Sequence, residues 1–161
     1  MRAAIITVST SVAAGRREDL SGRALAERAR AVGAEVVAQE VVPDDRTAIE
    51  DALQRHCAPQ AGTALVFTTG GTGLTPDDVT PEATKAVISR EVPGIAEAMR
   101  TESRKYTAMG MLSREVAGVA GQTLVVNFPG SPNAIEQLFG LVAPVLEHAV
   151  ALLRREHGSG H

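Results

Sequence analysis

Apolar and polar positions alternate along the chain between two periods, and each change of period marks a predicted element. Residues 3 to 9, Ala-Ala-Ile-Ile-Thr-Val-Ser, form a β-branched run that reads as an opening strand, followed by a polar loop from Thr10 to Leu20. Ser21 then offers a cap for a helix whose stripe is Leu25, Ala29 and Val32, and Gly33 suits its end. A second strand over 35 to 42 closes at Pro43-Asp44-Asp45, and Asp45 is a natural cap for a helix carrying Ile49 and Leu53. A third strand over 63 to 68 runs into glycines. Thr80 as cap with Pro81 in the first turn predicts a further helix, and Pro93 opens another with Ile95 and Met99 on one side. Val116–Ala120 and Thr123–Phe128 read as a hairpin around Gly121-Gln122, and Pro129-Gly130-Ser131-Pro132 as a turn. The remainder is one amphipathic stretch carrying Ile135, Leu138, Phe139, Val142, Leu146, Val150 and Leu153, which Pro144 is expected to kink or split.

Strands and helices in alternation, joined by short connections, predict an α/β fold with a mostly parallel sheet sandwiched between helices, plus the small hairpin. Residues 1–155 are expected to form a single domain and 156–161 a frayed tail. In such sheets ligands lie at the carboxyl ends of the strands. The loops rich in Gly, Pro, Ser, Thr and Asp follow the first, second, third and last strands. If the first three strands run parallel, their loops gather at one edge.

Composition narrows the function. The net charge of −3 and pI near 5.8 argue against a nucleic-acid partner, and aromatic residues at 2% leave no platform for stacking bases. One cysteine, Cys57, has no internal disulfide partner and fits a reducing cytoplasm. The apolar N-terminal run Ala3–Ile6 is far too short for a membrane span or signal core. The expectation is a cytoplasmic protein with no membrane association.

Chemistry concentrates between Thr68 and Pro81. Gly70, Gly71 and Gly73 stand with Thr68, Thr69, Thr72 and Thr75 at a strand-to-helix turn, where backbone N–H groups can approach an anion closely. The segment lacks the lysine of a P-loop and the spacing of a dinucleotide fingerprint, so glycines needed for a tight turn alone are an equal reading. Asp77 and Asp78 follow, and Asp44 and Asp45 sit in the previous loop. If Asp45 and Thr80 cap helices, each loop keeps a spare carboxylate, a reasonable pair for a divalent cation. Ser113-Arg114, just ahead of a strand, could offer a charged donor to phosphate, but a surface pairing of Arg114 with Glu115 or Glu102 is the favoured reading. The Pro129–Asn133 turn offers either an anion site at a helix start or a plain connector. His56, His148, His157 and His161 share no ligand spacing.

The combination Thr68-Thr69-Gly70-Gly71-Thr72-Gly73, then Asp78-Val79-Thr80-Pro81-Glu82-Ala83-Thr84, then Pro129-Gly130-Ser131-Pro132 resembles the MoaB/Mog family of molybdenum-cofactor biosynthesis, which includes the corresponding domain of gephyrin. The resemblance runs from the first strand to about Arg155. It implies molybdopterin adenylyltransferase activity, with Mg²⁺, ATP and molybdopterin as cofactor and substrates. Adenylylation of the terminal phosphate of the pterin releases pyrophosphate. The alternative within the family is a non-catalytic molybdopterin-binding or carrier protein. The resemblance places the two required aspartates, catalytic and metal-binding, on Asp44 and Asp78. It places substrate binding on Ser9, Gly70, Gly71, Thr72, Gly73, Ser113, Gly130 and Ser131, with Gly15, Asp19, Ser21 and Gly22 matching the first loop. It also implies a homo-oligomer, a trimer with a hexamer as alternative, and a separate molybdenum-inserting protein as a partner. Two positions depart from the common pattern. Thr10 stands where many members carry Asp, and Asn133 where a lysine is frequent. Neither departure is expected to touch Asp44 or Asp78.

Overall fold

The computed structural model describes residues 1–155; the expected tail, 156–161, lies outside the described residues. Six strands form one sheet: β1 (Arg2–Val8), β2 (Glu35–Val42), β3 (Leu65–Thr69), β4 (Arg90–Glu91), β5 (Ala117–Ala120) and β6 (Thr123–Phe128), in the order β2-β1-β3-β6-β5-β4. β2, β1, β3 and β6 run parallel. β5 and β4 add an antiparallel margin, and the β5–β6 hairpin turns at Gly121, φ 61°. The sheet is α/β and mostly parallel, as the alternating pattern predicts.

Helices cover both faces because the central strands are apolar on both sides. α2 (Leu20–Ala31), α5 (Pro93–Ser103) and α6 (Pro132–Leu153) close over one core with Leu25, Met99, Ile135, Leu138 and Phe139. Phe67, Phe128 and Phe139 meet there with ring centroids 5.6–5.7 Å apart. α3 (Arg46–Cys57) and α4 (Thr80–Val87) cover the other face with Ile49, Leu53 and Ala83. Asn127, fully buried, donates to Thr68 and Thr84 hydroxyls at 2.9 and 3.0 Å and accepts from the Val116 amide at 3.0 Å. It stitches β6 to β3, α4 and the segment ahead of β5 without leaving a polar atom unmet.

Several local expectations are corrected. The polar loop after β1 contains a short helix, α1 (Thr10–Ala13), capped by Ser9. α2 is capped by Asp19, not Ser21: the Asp19 carboxylate accepts from the Gly22 amide and from Thr7 on β1, both at 2.9 Å. A partner on the neighbouring strand decided the helix start. Val32 lies outside the buried stripe and is exposed. α4 is preceded by Val79 with no side-chain cap, since the Thr80 hydroxyl is turned inward to donate to the Gly70 carbonyl at 2.9 Å. Pro144 sits on the exposed side of α6 and does not split it; the helix runs on for 22 residues. α6 is long and apolar enough in composition to cross a membrane, yet its Ile135-Leu138-Phe139-Val142-Leu146-Val150 side packs on the sheet.

Candidate functional site

β1 lies at the switch of strand order. The chain leaves it for β2 on one side and returns through α3 to β3 on the other, so the loops after β1 and β3 diverge and open a crevice. β1, β2, β3 and β6 all end at this edge. Their loops meet around a cavity of about 280 Å³ lined by Ser9, Asp44, Gly70, Gly71, Asp78 and Gly130, among others. Residues from four separate loops, singled out in the sequence, are therefore brought together.

The glycines are dictated by close packing. Gly70 has φ 98°, and a Cβ there would stand 2.3 Å from the Val8 carbonyl oxygen. Gly71 has φ 68°, and its Cβ would meet the Thr80 hydroxyl at 2.3 Å. The Gly70 amide donates to the Phe128 carbonyl at 3.1 Å, and the Thr69 hydroxyl to the Pro129 carbonyl at 2.8 Å. These bonds draw the β6 loop against the β3 loop, so that Gly130 faces Gly70 backbone to backbone. Ser131 caps α6, accepting from the Ala134 amide at 3.1 Å, and so holds the start of a long helix beside the cavity.

Both aspartates are gripped by one oxygen. Asp44 Oδ2 accepts from the Thr10 amide at 2.9 Å and the Thr10 hydroxyl at 3.0 Å. Asp78 Oδ2 accepts from the Thr75 amide at 3.0 Å and the Thr75 hydroxyl at 2.9 Å. In each case Oδ1 accepts from no group among the described residues. Asp45 caps α3 through the Ala48 amide at 2.9 Å, leaving Asp44 to the cavity. Thr10 thus touches Asp44 directly, contrary to expectation. The neutral hydroxyl supplies a donor where an aspartate would place a second negative charge.

Arg114 is the residue that sequence reasoning placed wrongly. It pairs with neither Glu115 nor Glu102. Its guanidinium donates to the carbonyls of Gly73 and Asp78, both at 2.8 Å, and to Glu82, while its amide donates to the Thr72 carbonyl at 2.8 Å. One side chain therefore fixes the shape of the glycine loop across a gap of 41 residues in sequence. Only tertiary contact reveals this, since nothing around Arg114 marks it. Arg17 of the β1 loop, also missed, is the one arginine or lysine among the described residues that line the cavity. Thr72, Gly73 and Ser113 do not line the cavity. The Ser113 hydroxyl lies 3.3 Å from that of Thr72 and faces a second cavity on the other side of the loop.

Burial raises the Glu82 carboxyl, but the Arg114 hydrogen bond and charge outweigh it and hold the group below its ordinary value of 4.5. A lowered folded value means the pair stabilises the fold above that pH and stops doing so as acid protonates Glu82. The melting-temperature gap between wild type and Glu82→Gln should be open at pH 7 and close as pH falls below about 4.5. A gap unchanged at pH 3 to 4 would contradict the clamp. His56, assigned nothing from sequence, bonds Glu40 at 2.8 Å away from the site, and burial pushes the Cys57 thiol up to about 11, consistent with an unreactive group.

Among the described residues no three His, Cys, Asp or Glu side chains converge as a metal cage. Two carboxylate oxygens without internal donors suit a cation that keeps most of its water and shares phosphate ligands, which is the habit of Mg²⁺.

Comparison with known proteins identifies the family. Residues 4–148 match the family model described as "Probable molybdopterin binding domain". The chain is 37% identical over 155 residues to a protein of Helicobacter pylori named molybdopterin adenylyltransferase, covering 92% of this chain and 85% of that one. It is 41% identical over 118 residues to Dictyostelium discoideum gephyrin, covering 73% of this chain and 16% of that longer protein. The crystal structure of the molybdopterin biosynthesis enzyme MoaB of Thermus thermophilus superposes with a TM-score of 0.87 at 45% identity, covering 94% of this chain and 95% of that one. With fold, motifs and sequence in accord over nearly its whole length, the chain belongs to the MoaB/Mog family of molybdenum-cofactor biosynthesis.

Proposed function

We propose that this chain transfers the adenylyl group of ATP to the terminal phosphate of molybdopterin. A phosphate oxygen attacks the α-phosphorus of ATP, the bond to the bridging oxygen before the β-phosphorus breaks, and pyrophosphate leaves. The observation that carries the reading is the pair of half-engaged carboxylates, Asp44 and Asp78, from two loops on one glycine-lined cavity. The name of the Helicobacter pylori relative supports it.

The attacking phosphate is ionised near neutral pH, so no strong general base is required of the protein. What is required is in-line placement and relief of charge repulsion. Thr10 and Thr75 each hold one oxygen of an aspartate that lines the cavity, leaving the second oxygen available to a cation. Asp44 and Asp78 would hold a Mg²⁺ ion, which would supply neutralisation of phosphate charge. The amides that follow Gly70 in the glycine loop and those of the α6 start hold anionic oxygens, and Arg17 adds a cation to the cavity lining. Thr72, Gly73 and Ser113 serve the pterin end of the substrate. The test is incubation with molybdopterin, Mg²⁺ and labelled ATP. Pyrophosphate and an adenylylated pterin should appear together. Tight pterin binding without either product would identify a carrier instead.

We also read the protein as a homo-oligomer, a trimer in the first instance. α5, α6 and the β4 margin enclose an apolar groove of about 540 Å³, and Leu141, Val145 and Leu152 are exposed along it. A Leu141→Glu, Val145→Glu protein should elute as a monomer in light-scattering chromatography. Retention of the wild-type mass would place the contact elsewhere.

A further inference from the structure

Asp78 ends a segment, Gly73 to Asp78, that closes on itself. The Asp78 amide donates to the Thr75 carbonyl at 3.0 Å, and Asp78 Oδ2 accepts from the Thr75 amide and hydroxyl. Gly73 packs against the same oxygen: a Cβ there would stand 2.8 Å from Asp78 Oδ2. The two bonds to Thr75 from the carboxylate are exposed, and exposed local bonds open readily in water. What ties the segment down comes from far along the chain. Arg114 Nε donates to the Gly73 carbonyl and a terminal nitrogen to the Asp78 carbonyl, both at 2.8 Å, so one planar group bridges the first and last residues of the segment. The other terminal nitrogen is held by Glu82 on α4, and the Arg114 amide donates to the Thr72 carbonyl at 2.8 Å. Two carbonyls bridged at once call for N–H groups fixed in one plane, which a guanidinium has and an ammonium lacks. Asp44 has no such staple among the described residues; its carboxylate and its amide both meet Thr10.

We propose that Arg114 is a positioning residue for adenylyl transfer: by stapling both ends of the Gly73–Asp78 segment, it sets where the free oxygen of Asp78 stands. The proposal rests on the transfer reading above and on the role of Asp78 in it. A displacement of about 1 Å at a reacting group can cost roughly 100-fold in rate, so a residue that fixes Asp78 can govern turnover through it. Glu82 orients the guanidinium, and the staple therefore joins the start of α4 to the segment that precedes it.

The test is Arg114→Ala in the full chain, assayed with and without millimolar guanidinium chloride. Its kcat for transfer should fall about 100-fold, with the pterin KM moved far less. The Arg114 side chain is 36% accessible, so free guanidinium can enter the space it vacates. Guanidinium should recover about tenfold or more of the loss, whereas methylammonium, a point charge without the planar fork, should recover none. A merely structural role gives no such selectivity between the two cations. Amide exchange followed by NMR reads the staple independently of turnover. The Thr75 and Asp78 amides should exchange about tenfold or more faster in Arg114→Ala, while the Thr10 amide, bonded to Asp44, stays as in wild type. Should Arg114→Ala not fold, Arg114→Lys decides: it keeps the charge but cannot bridge both carbonyls, so its kcat should drop about tenfold or more. Wild-type kcat in either variant, unchanged exchange at Thr75 and Asp78, or equal rescue by both cations would overturn the assignment. The outcomes separate from the parent reading. Faster exchange in Arg114→Ala, in a chain whose wild type transfers no adenylyl group, sinks the reaction and keeps the staple. Transfer by wild type that Arg114→Ala leaves intact does the reverse.

Discussion

An Asp78→Asn protein should lose adenylyl transfer by about two orders of magnitude or more in kcat while keeping its fold and its pterin affinity. The asparagine carbonyl can still accept from the Thr75 amide and hydroxyl, so the loop between Gly73 and α4 retains its shape. What changes is the atom facing the cavity: a negatively charged oxygen becomes an amide nitrogen, which repels a cation rather than holding one. Asp44→Asn should behave alike through Thr10. If the two carboxylates serve one cation, the double variant should fall little below either single one, because the second loss removes a contact already broken. Pyrophosphate release at saturating ATP, alongside pterin fluorescence titration, separates the two effects. Wild-type turnover in Asp78→Asn would remove Asp78 from the mechanism, and additive losses would assign the aspartates separate tasks.

Gly70→Ala should be the most damaging change to the fold among the site glycines. The new methyl would be placed 2.3 Å from the Val8 carbonyl oxygen, a backbone atom inside a parallel strand that has nowhere to retreat. The φ of 98° adds a penalty that only glycine escapes. The strain and the overpacking together cost about 3 kcal/mol, a fall in Tm of roughly 10 °C for a chain of this size. Gly140→Ala makes the contrast. It lies within α6 with nothing within 4 Å of its would-be Cβ, so alanine should leave Tm unchanged or raise it slightly. Differential scanning calorimetry on the two variants reads the comparison directly. A Tm for Gly70→Ala within 2 °C of wild type would show that the β3 loop yields more easily than its hydrogen bonds to Phe128 and Thr80 suggest.

How much of this was legible beforehand differs from residue to residue. The strands were readable because the central ones are apolar on both faces, and a continuous Val/Ile/Leu run has few other uses at that length. Asp45 was readable as a cap because its partner, the Ala48 amide, is three residues away. Asp19 has the same kind of local partner, the Gly22 amide three residues on, but what sets it apart from Ser21 is the added donor from Thr7, which lies on another element. Thr80 misled for the same reason: alone it is a good cap, but the Gly70 carbonyl took its hydroxyl.

The site divides along that line. Local chemistry in the chain determined that glycines, threonines and spare aspartates would sit in the loops at strand ends, since turn geometry and capping act over three or four residues. Tertiary structure alone decided which of them share a cavity. It set Thr10 on Asp44, stretched Arg114 across the glycine loop, brought the Ser113 hydroxyl to that of Thr72, and left one oxygen of Glu115 buried without a donor. Each of those contacts joins segments that strand order brings together or burial strips of water, and neither strand order nor burial is written in the spacing of residues along the chain.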